Sequence, residues 1–231
     1  MKIAQLLPVT LIEYPGKVSA LIYTEGCNFR CPFCHNAELV LPCKYKSLIP
    51  EKEVLQLLQE RSGFLDALAI TGGEPTLQPD LIEFLYKVKD LGLLVKLDSN
   101  GSRPEVLKLA LHLKLVDYVA MDVKTTFDKY DSLIGAQCNC NDIKDSIDII
   151  RGFAPDYEFR TTVAPTITQD DLYDVAEYIK GSKRYYLQKF ITYEDKDLID
   201  PAWNDKRGLP RKKLDEVWEN VSKLFDIGGV R

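Results

Sequence analysis

Residues 18–34 read Val18-Ser19-Ala20-Leu21-Ile22-Tyr23-Thr24-Glu25-Gly26-Cys27-Asn28-Phe29-Arg30-Cys31-Pro32-Phe33-Cys34. The run Val18 to Thr24 is apolar and β-branched and has the character of a buried strand. It feeds directly into a loop that carries three cysteines. The same grammar repeats along the chain. Strands are expected over Ala67 to Thr71, ending at Gly72-Gly73, and over Leu93 to Asp98, ending at Ser99-Asn100-Gly101. Further strands are expected over Asp117 to Val123, Glu158 to Val163 and Tyr185 to Phe190.

Between the strands, apolar residues fall at helical spacing. Glu51 to Glu60, Leu81 to Leu91, Pro104 to Leu113, Asp142 to Arg151 and Gln169 to Lys180 read as helices, and Lys212 to Phe225 as a last one. Pro104 suits a helix start, where its missing N–H costs little. Continuous apolar strands alternating with amphipathic helices imply a parallel sheet covered by helices. Six such units fit a doubly wound sheet or an incomplete barrel. The polar motifs follow successive strand C-termini, and in a curved parallel sheet those ends converge on one ligand-binding face. The expected fold is therefore α/β: an open, partial (β/α)6 TIM-like barrel. It forms a single domain over 1–231, with a core at about 17–192 and a C-terminal helical extension at about 193–231.

The chain has 231 residues, 45% of them hydrophobic and 28% charged, and a formal net charge of -5. These values describe a globular protein with enough length to bury a core, and the acidic balance argues against non-specific nucleic-acid binding. The start of the chain, Met1 to Pro8, is basic at one residue only and has too short an apolar run for a leader or a membrane span. The expectation is a cytoplasmic protein. In a reducing compartment, six cysteines are better read as thiols or metal ligands than as three disulfides.

Cys27, Cys31 and Cys34 stand in the pattern C-x3-C-x2-C, one ligand short of a closed four-thiolate site. Three thiolates on a four-iron cluster would leave one iron open to a cofactor. The rival is a zinc site completed by His35 or Cys43. Phe29 and Phe33 flank the loop and would shield a redox centre from water. Gly72 and Gly73 permit close backbone approach to a ligand. Glu74 could accept from an ammonium group, or could simply belong to an ordinary βα turn. Asn100-Gly101 is a common turn dipeptide. Asp122 and Lys124 fall on the same side of their strand, as a ligand-reading pair or as a strand-end ion pair. Arg160, inside an apolar strand, needs a carboxylate partner, with Glu74 and the ligand as the two candidates.

The cysteine spacing, with the aromatic Phe33 just before the last cysteine, resembles the signature of the radical S-adenosylmethionine superfamily. The resemblance implies that Cys27, Cys31 and Cys34 hold a [4Fe–4S] cluster. Its fourth iron would chelate S-adenosyl-L-methionine, which one electron cleaves to methionine and a 5′-deoxyadenosyl radical. It further implies that Gly72, Gly73 and Glu74 meet the methionine amino group. Ser99 and Asn100 would lie on the cofactor side, with Phe33 and His35 beside the cluster. Asp122 and Lys124 resemble an Asp-x-Lys motif that contacts the cofactor in glycyl-radical-enzyme activases. Gln188 falls where such activases place a ribose-contacting polar residue, although a His is usual there, and Arg160 is a further candidate for contact with the cofactor.

Cys34-His35-Asn36, Thr10 to Val18, Glu25 to Cys31, Phe159 to Val163 and Leu187-Gln188 are similar to anaerobic ribonucleoside-triphosphate reductase activating proteins, over most of the chain. That resemblance implies hydrogen abstraction from a glycine of a partner enzyme, an anaerobic ribonucleotide reductase, with flavodoxin or ferredoxin as electron donor. It implies neither nucleic acid nor membrane as a partner. The alternatives are a radical enzyme acting on a small molecule, such as a 7-carboxy-7-deazaguanine synthase, and a non-catalytic zinc-binding module. Cys43, Cys138 and Cys140 read as free thiols or as a second metal site.

Overall fold

The structure, a computed structural model, describes residues 1–193 and 197–231. Eight strands form one sheet in sequential order: β1 (Ile3–Thr10), β2 (Ser19–Thr24), β3 (Ala67–Gly72), β4 (Leu94–Ser99), β5 (Tyr118–Asp122), β6 (Asp156–Val163), β7 (Arg184–Lys189) and β8 (Ile227–Val230). β1 runs antiparallel to β2, and every later pairing is parallel. β1 and β8 do not pair with each other, so the barrel wall is unclosed. The longer helices are α2 (Glu51–Glu60), α3 (Leu81–Asp90), α4 (Pro104–His112), α6 (Cys140–Phe153), α7 (Gln169–Tyr178) and α8 (Arg211–Val221). Two short ones, α1 (Ala37–Val40) and α5 (Tyr130–Ile134), lie near the cysteine loop. Among the described residues no helix is long and apolar enough to cross a membrane.

The six expected strands are all present, and β1 and β8 extend the sheet at either end. β1 carries Pro8, which has no N–H for a ladder. The register shifts between Leu7 and Thr10, and an edge strand accommodates that break. β8 contains Gly228 and Gly229, which have little strand character. A Cβ on Gly228 would lie 2.1 Å from Tyr185 O and 2.3 Å from Trp218 Cη2, so close packing by α8 and β7 dictates the glycine. The stretch expected as a helical extension thus supplies α8 and also a strand of the sheet. Residues 194–196 of that stretch lie outside the described residues.

The two faces of the sheet differ. Toward the helices, Ile22, Ile70, Val95, Leu97, Val119 and Phe159 belong to one continuous apolar core. Toward the inside, Tyr14, Ala67, Leu94, Tyr118 and Ala120 form only a small apolar plug. Strand alternation puts Lys96 and Asp98 on the same face as Leu94, and Asp122 on the same face as Tyr118 and Ala120. Glu158 lies opposite Ala120 and Arg160 opposite Asp122. The barrel interior is therefore polar above its plug, and its charges must be paired to be tolerable there.

Candidate functional site

The cysteine loop is fixed by its own backbone and by its neighbours. Arg30 donates to Cys27 O at 2.6 Å and to Phe29 O at 2.8 Å, drawing the loop into a tight curl. Arg30 N bonds Ile134 O at 2.8 Å, and Gly26 N bonds Leu39 O at 2.7 Å, so α5 and α1 brace it from two sides. The turn after β3 approaches closely. Gly72 has a φ of +121°, which favours glycine, and a Cβ on Gly73 would lie 2.0 Å from Gly26 O. Glu74 N bonds that same oxygen at 2.8 Å.

One cleft, with about 210 Å³ of space reachable by water, gathers these strand ends. It is lined by Cys27, Cys31, Phe33, Cys34, His35, Gly72, Gly73, Glu74, Ser99, Asn100, Asp122, Lys124 and Arg160. Gln188 alone of the expected residues is not on its wall; it accepts from Thr162 Oγ1 at 3.3 Å, and Thr162 is. Thr71, Asp98, Thr162 and Ile199, none of them expected as site residues, also face the cleft. Thr71, Asp98 and Thr162 stand within or beside motifs already singled out, whereas Ile199 comes from a distant loop.

Donors converge on the sulfurs. Phe29 N points at Cys27 Sγ at 3.4 Å, Asn36 N at Cys34 Sγ at 3.4 Å, and Asn100 Nδ2 at Cys27 Sγ at 3.9 Å. Such donors stabilise thiolates and tune iron–sulfur clusters. Burial pushes Cys27 up to about 12 and Cys31 up to about 11, so bare thiols keep their protons here until a metal replaces them. Among the described residues no three His, Cys, Asp or Glu side chains close on a point that one metal ion could occupy. A single zinc needs its sulfurs roughly 2.3 Å from one centre. A cluster places each thiolate on a different iron, so three thiols around one cleft with donors at their sulfurs fit that group better. The ring of His35, one proposed fourth zinc ligand, gives its Nε2 to Ile191 O at 2.7 Å, and Cys43 is exposed.

Glu74 is 1% exposed and accepts four hydrogen bonds. Its Oε1 takes Thr76 N at 3.1 Å, Thr76 Oγ1 at 2.6 Å and Ser99 Oγ at 2.9 Å; its Oε2 takes Asn100 N at 2.6 Å. Burial raises its pKa, and these donors oppose the rise without cancelling it. The carboxylate is thus a strut between the ends of β3 and β4, with acceptor capacity left on Oε2. The expected pairing of Arg160 with Glu74 does not occur, because the guanidinium stands across the cleft. Arg160 Nε donates to Asp122 Oδ1 at 3.0 Å and its NH1 to Asp98 Oδ2 at 3.2 Å. Lys124 Nζ reaches Asp122 Oδ2 at 3.3 Å. Burial would raise both aspartates, but Arg160, with Lys96 at Asp98 and Lys124 at Asp122, outweighs it and holds both below the usual range.

A segment that sequence reasoning did not connect with the site closes over the cysteine loop. Ile199 N bonds Cys34 O and Asp200 N bonds Pro32 O, each at 3.1 Å. Trp203 sets its ring 6.1 Å from that of Phe33, and His35 packs against Phe190 and Tyr193.

A family model described as the radical SAM superfamily matches residues 21–179. A protein of Methanocaldococcus jannaschii, named for glycyl-radical enzyme activation, is 36% identical over 231 residues, covering 97% of this chain and 93% of its own length. The pyruvate formate-lyase-activating enzyme of Clostridium pasteurianum is 25% identical over 236 residues, with 94% of each chain covered. Streptococcus suis SuiB bound to S-adenosylmethionine shares the fold, with a TM-score of 0.66 over 91% of this chain at 14% identity. The present chain spans about half, 49%, of SuiB.

Proposed function

The chain belongs to the radical S-adenosylmethionine superfamily, and from that premise we propose that it is a glycyl-radical-enzyme activase whose client is an anaerobic ribonucleoside-triphosphate reductase. One observation carries the activase reading: similarity to a relative named for that activity runs through 97% of the chain rather than through the cysteine loop alone. An enzyme of this superfamily uses a [4Fe–4S] cluster and S-adenosyl-L-methionine. When bound, they supply one-electron cleavage of the sulfonium and a 5′-deoxyadenosyl radical able to take a hydrogen atom from a glycine Cα.

In this reading Cys27, Cys31 and Cys34 hold the cluster, and the N–H groups of Phe29 and Asn36 steady its sulfurs. The remaining capacity of Glu74 Oε2 receives the methionine ammonium. Gly72 and Gly73 keep the wall thin enough for that approach. Lys124 takes the carboxylate and Asp122 a ribose hydroxyl, while Arg160 fixes the Asp122 carboxylate from below. Ser99 and Asn100 orient Glu74, and Phe33 and His35 exclude water from the loop. Gln188 acts at one remove, through Thr162. The electron comes from a flavodoxin- or ferredoxin-class donor, and the reducing cytoplasm keeps the thiols available.

The test mixes the reduced, cluster-loaded protein with S-adenosyl-L-methionine and an anaerobic ribonucleotide reductase. A glycyl doublet in the electron paramagnetic resonance spectrum of the reductase is the expected result. Cofactor cleavage with no doublet sinks this client and turns attention to a small-molecule substrate.

A further inference from the structure

The two strands that border the open seam treat their free edges differently. β1 is guarded. Pro8 interrupts it, its register shifts twice, and Ile49 pairs with Ile3 on the side away from β2. Such devices keep another chain from adding to an edge. β8 is bare by comparison: Ile227-Gly228-Gly229-Val230 has no charge, no proline and no break in its register.

The ladder fixes which groups of β8 are free. Ile227 N bonds Lys183 O at 3.0 Å, Arg231 N bonds Leu187 O at 2.9 Å, and Lys189 N bonds Arg231 O at 2.9 Å. Every second residue of a strand bonds a given neighbour. The N–H and C=O groups of Gly228 and Val230 therefore point away from β7 and into the seam, where β8 has no neighbouring strand. Gly229 is a second, independent sign. Its φ is not positive, and a Cβ there would meet nothing within 4 Å. Neither backbone conformation nor packing demands this glycine, unlike Gly228. A strand glycine of that kind marks a close approach by another backbone.

The edge leads to the cleft. β8 runs parallel to β7 and ends beside Gln188, whose partner Thr162 lines the cleft. At that end the Arg231 guanidinium lies 3.4 Å from the centre of the Tyr186 ring and forks onto buried Glu158, at 3.1 Å and 3.3 Å. The fork leaves other N–H groups of the guanidinium unused, and the side chain is 45% exposed. Those donors suit neutral acceptors such as peptide carbonyls, because Glu158 already carries the opposing charge. By itself an edge of four residues buries far less than the roughly 1,200 Å² of a specific interface, too little to hold a second copy of this chain. A client whose loop also fills the cleft supplies the rest.

We propose that the free edge of β8 takes an extended segment of the polypeptide client as an added strand, held by main-chain hydrogen bonds to Gly228 and Val230 and lying against bare Gly229. The inference rests on the activase reading and adds to it the place where the client's chain is gripped and the groups that grip it. Main-chain pairing sets how deep the loop reaches and asks little of the client's side chains.

The probe is a synthetic peptide spanning the glycine loop of an anaerobic ribonucleotide reductase, with copies N-methylated at one position each. Calorimetry under anaerobic conditions measures their binding to the protein loaded with its cluster and S-adenosyl-L-methionine. Strand addition uses the peptide's N–H groups at every second position. N-methylation there is expected to cost about tenfold in affinity, and at the positions between to cost little. Equal losses at adjacent positions, or none anywhere, overturn the proposal, and neither result needs a variant to fold. Val230→Pro removes a donor that the β7 ladder does not use and is expected to lose about tenfold for the unmethylated peptide; unchanged affinity overturns the proposal as well. A dimer of the parent that Val230→Pro disperses, seen by ultracentrifugation, overturns it in favour of a second copy. A missing glycyl doublet with the alternating pattern intact sinks the client instead. A doublet with a peptide that does not bind sinks strand addition alone.

Discussion

At the scale of single residues, Glu74 shows how one side chain can join two motifs that lie 25 residues apart in sequence. It caps the turn after β3 and draws in the end of β4, and Thr76, Ser99 and Asn100 all act as donors to it. An amide in its place must turn an NH2 group toward one of those donors. Glu74→Gln is therefore expected to lose roughly 1–3 kcal/mol of stability and to weaken cofactor binding, with cluster content kept. Urea unfolding and iron analysis measure both. Unchanged stability would show that the strut is dispensable. The cysteines, glycines and acids of the cleft were legible because their types and spacings are unusual. The partner of Arg160 was not, since only the register of β5 against β6 decides that Asp122 faces it. Lys96 was passed over for a related reason: one charged letter in an apolar strand does not say which face it takes or what meets it.

At the scale of elements, the loop around Ile199 to Trp203 acts as a strap over the cysteine loop. It has no motif, because backbone N–H groups make its bonds to Pro32 and Cys34, and any residue but proline supplies those. Its anchor is Trp203, packed near Phe33 and covered by Lys206, whose ammonium lies 4.1 Å from the ring centroid. Trp203→Ala is expected to cost roughly 3–5 kcal/mol and to shorten the lifetime of the cluster in air, read as the decay of its visible absorption. Ile147→Ala in α6 serves as the control, because it removes buried apolar contact away from the loop. If both variants lose the cluster equally fast, the strap protects nothing in particular. The strands β2 to β7 were legible as apolar runs, whereas β1 and β8 were hidden by the residues that suit them to an edge, Pro8 in one and Gly228-Gly229 in the other.

At the scale of the molecule, the polar interior ties stability to pH. Asp98 and Asp122 titrate below the ordinary carboxylate value of about 3.9, so the stability they contribute is present above that value and is lost as pH falls through their lower folded values. Glu74 has the opposite sign: its raised pKa is a cost at neutral pH that is relieved as pH falls toward about 4.3. Urea unfolding of the cluster-free protein is expected to hold level or rise slightly from pH 7 to about 5, then to fall steeply below about 4. Asp98→Asn should blunt the acid limb. A steady loss beginning at neutral pH would mean that groups outside this network control the transition. The alternation of strands and helices was enough to read the barrel, while its charged lumen depended on facing relations that composition does not contain.

The wall between β1 and β8 never closes. A sealed barrel would admit a polypeptide only by threading an end or by breathing. A gap along one side lets a loop of a folded client be laid in broadside and lifted out again with both of its flanks still attached. Departure then costs no unfolding on either side, and one copy of this chain can service many clients in succession. On the activase reading proposed above, the open seam lets one copy of the protein be shared among its clients, and it does not require that each client keep its own.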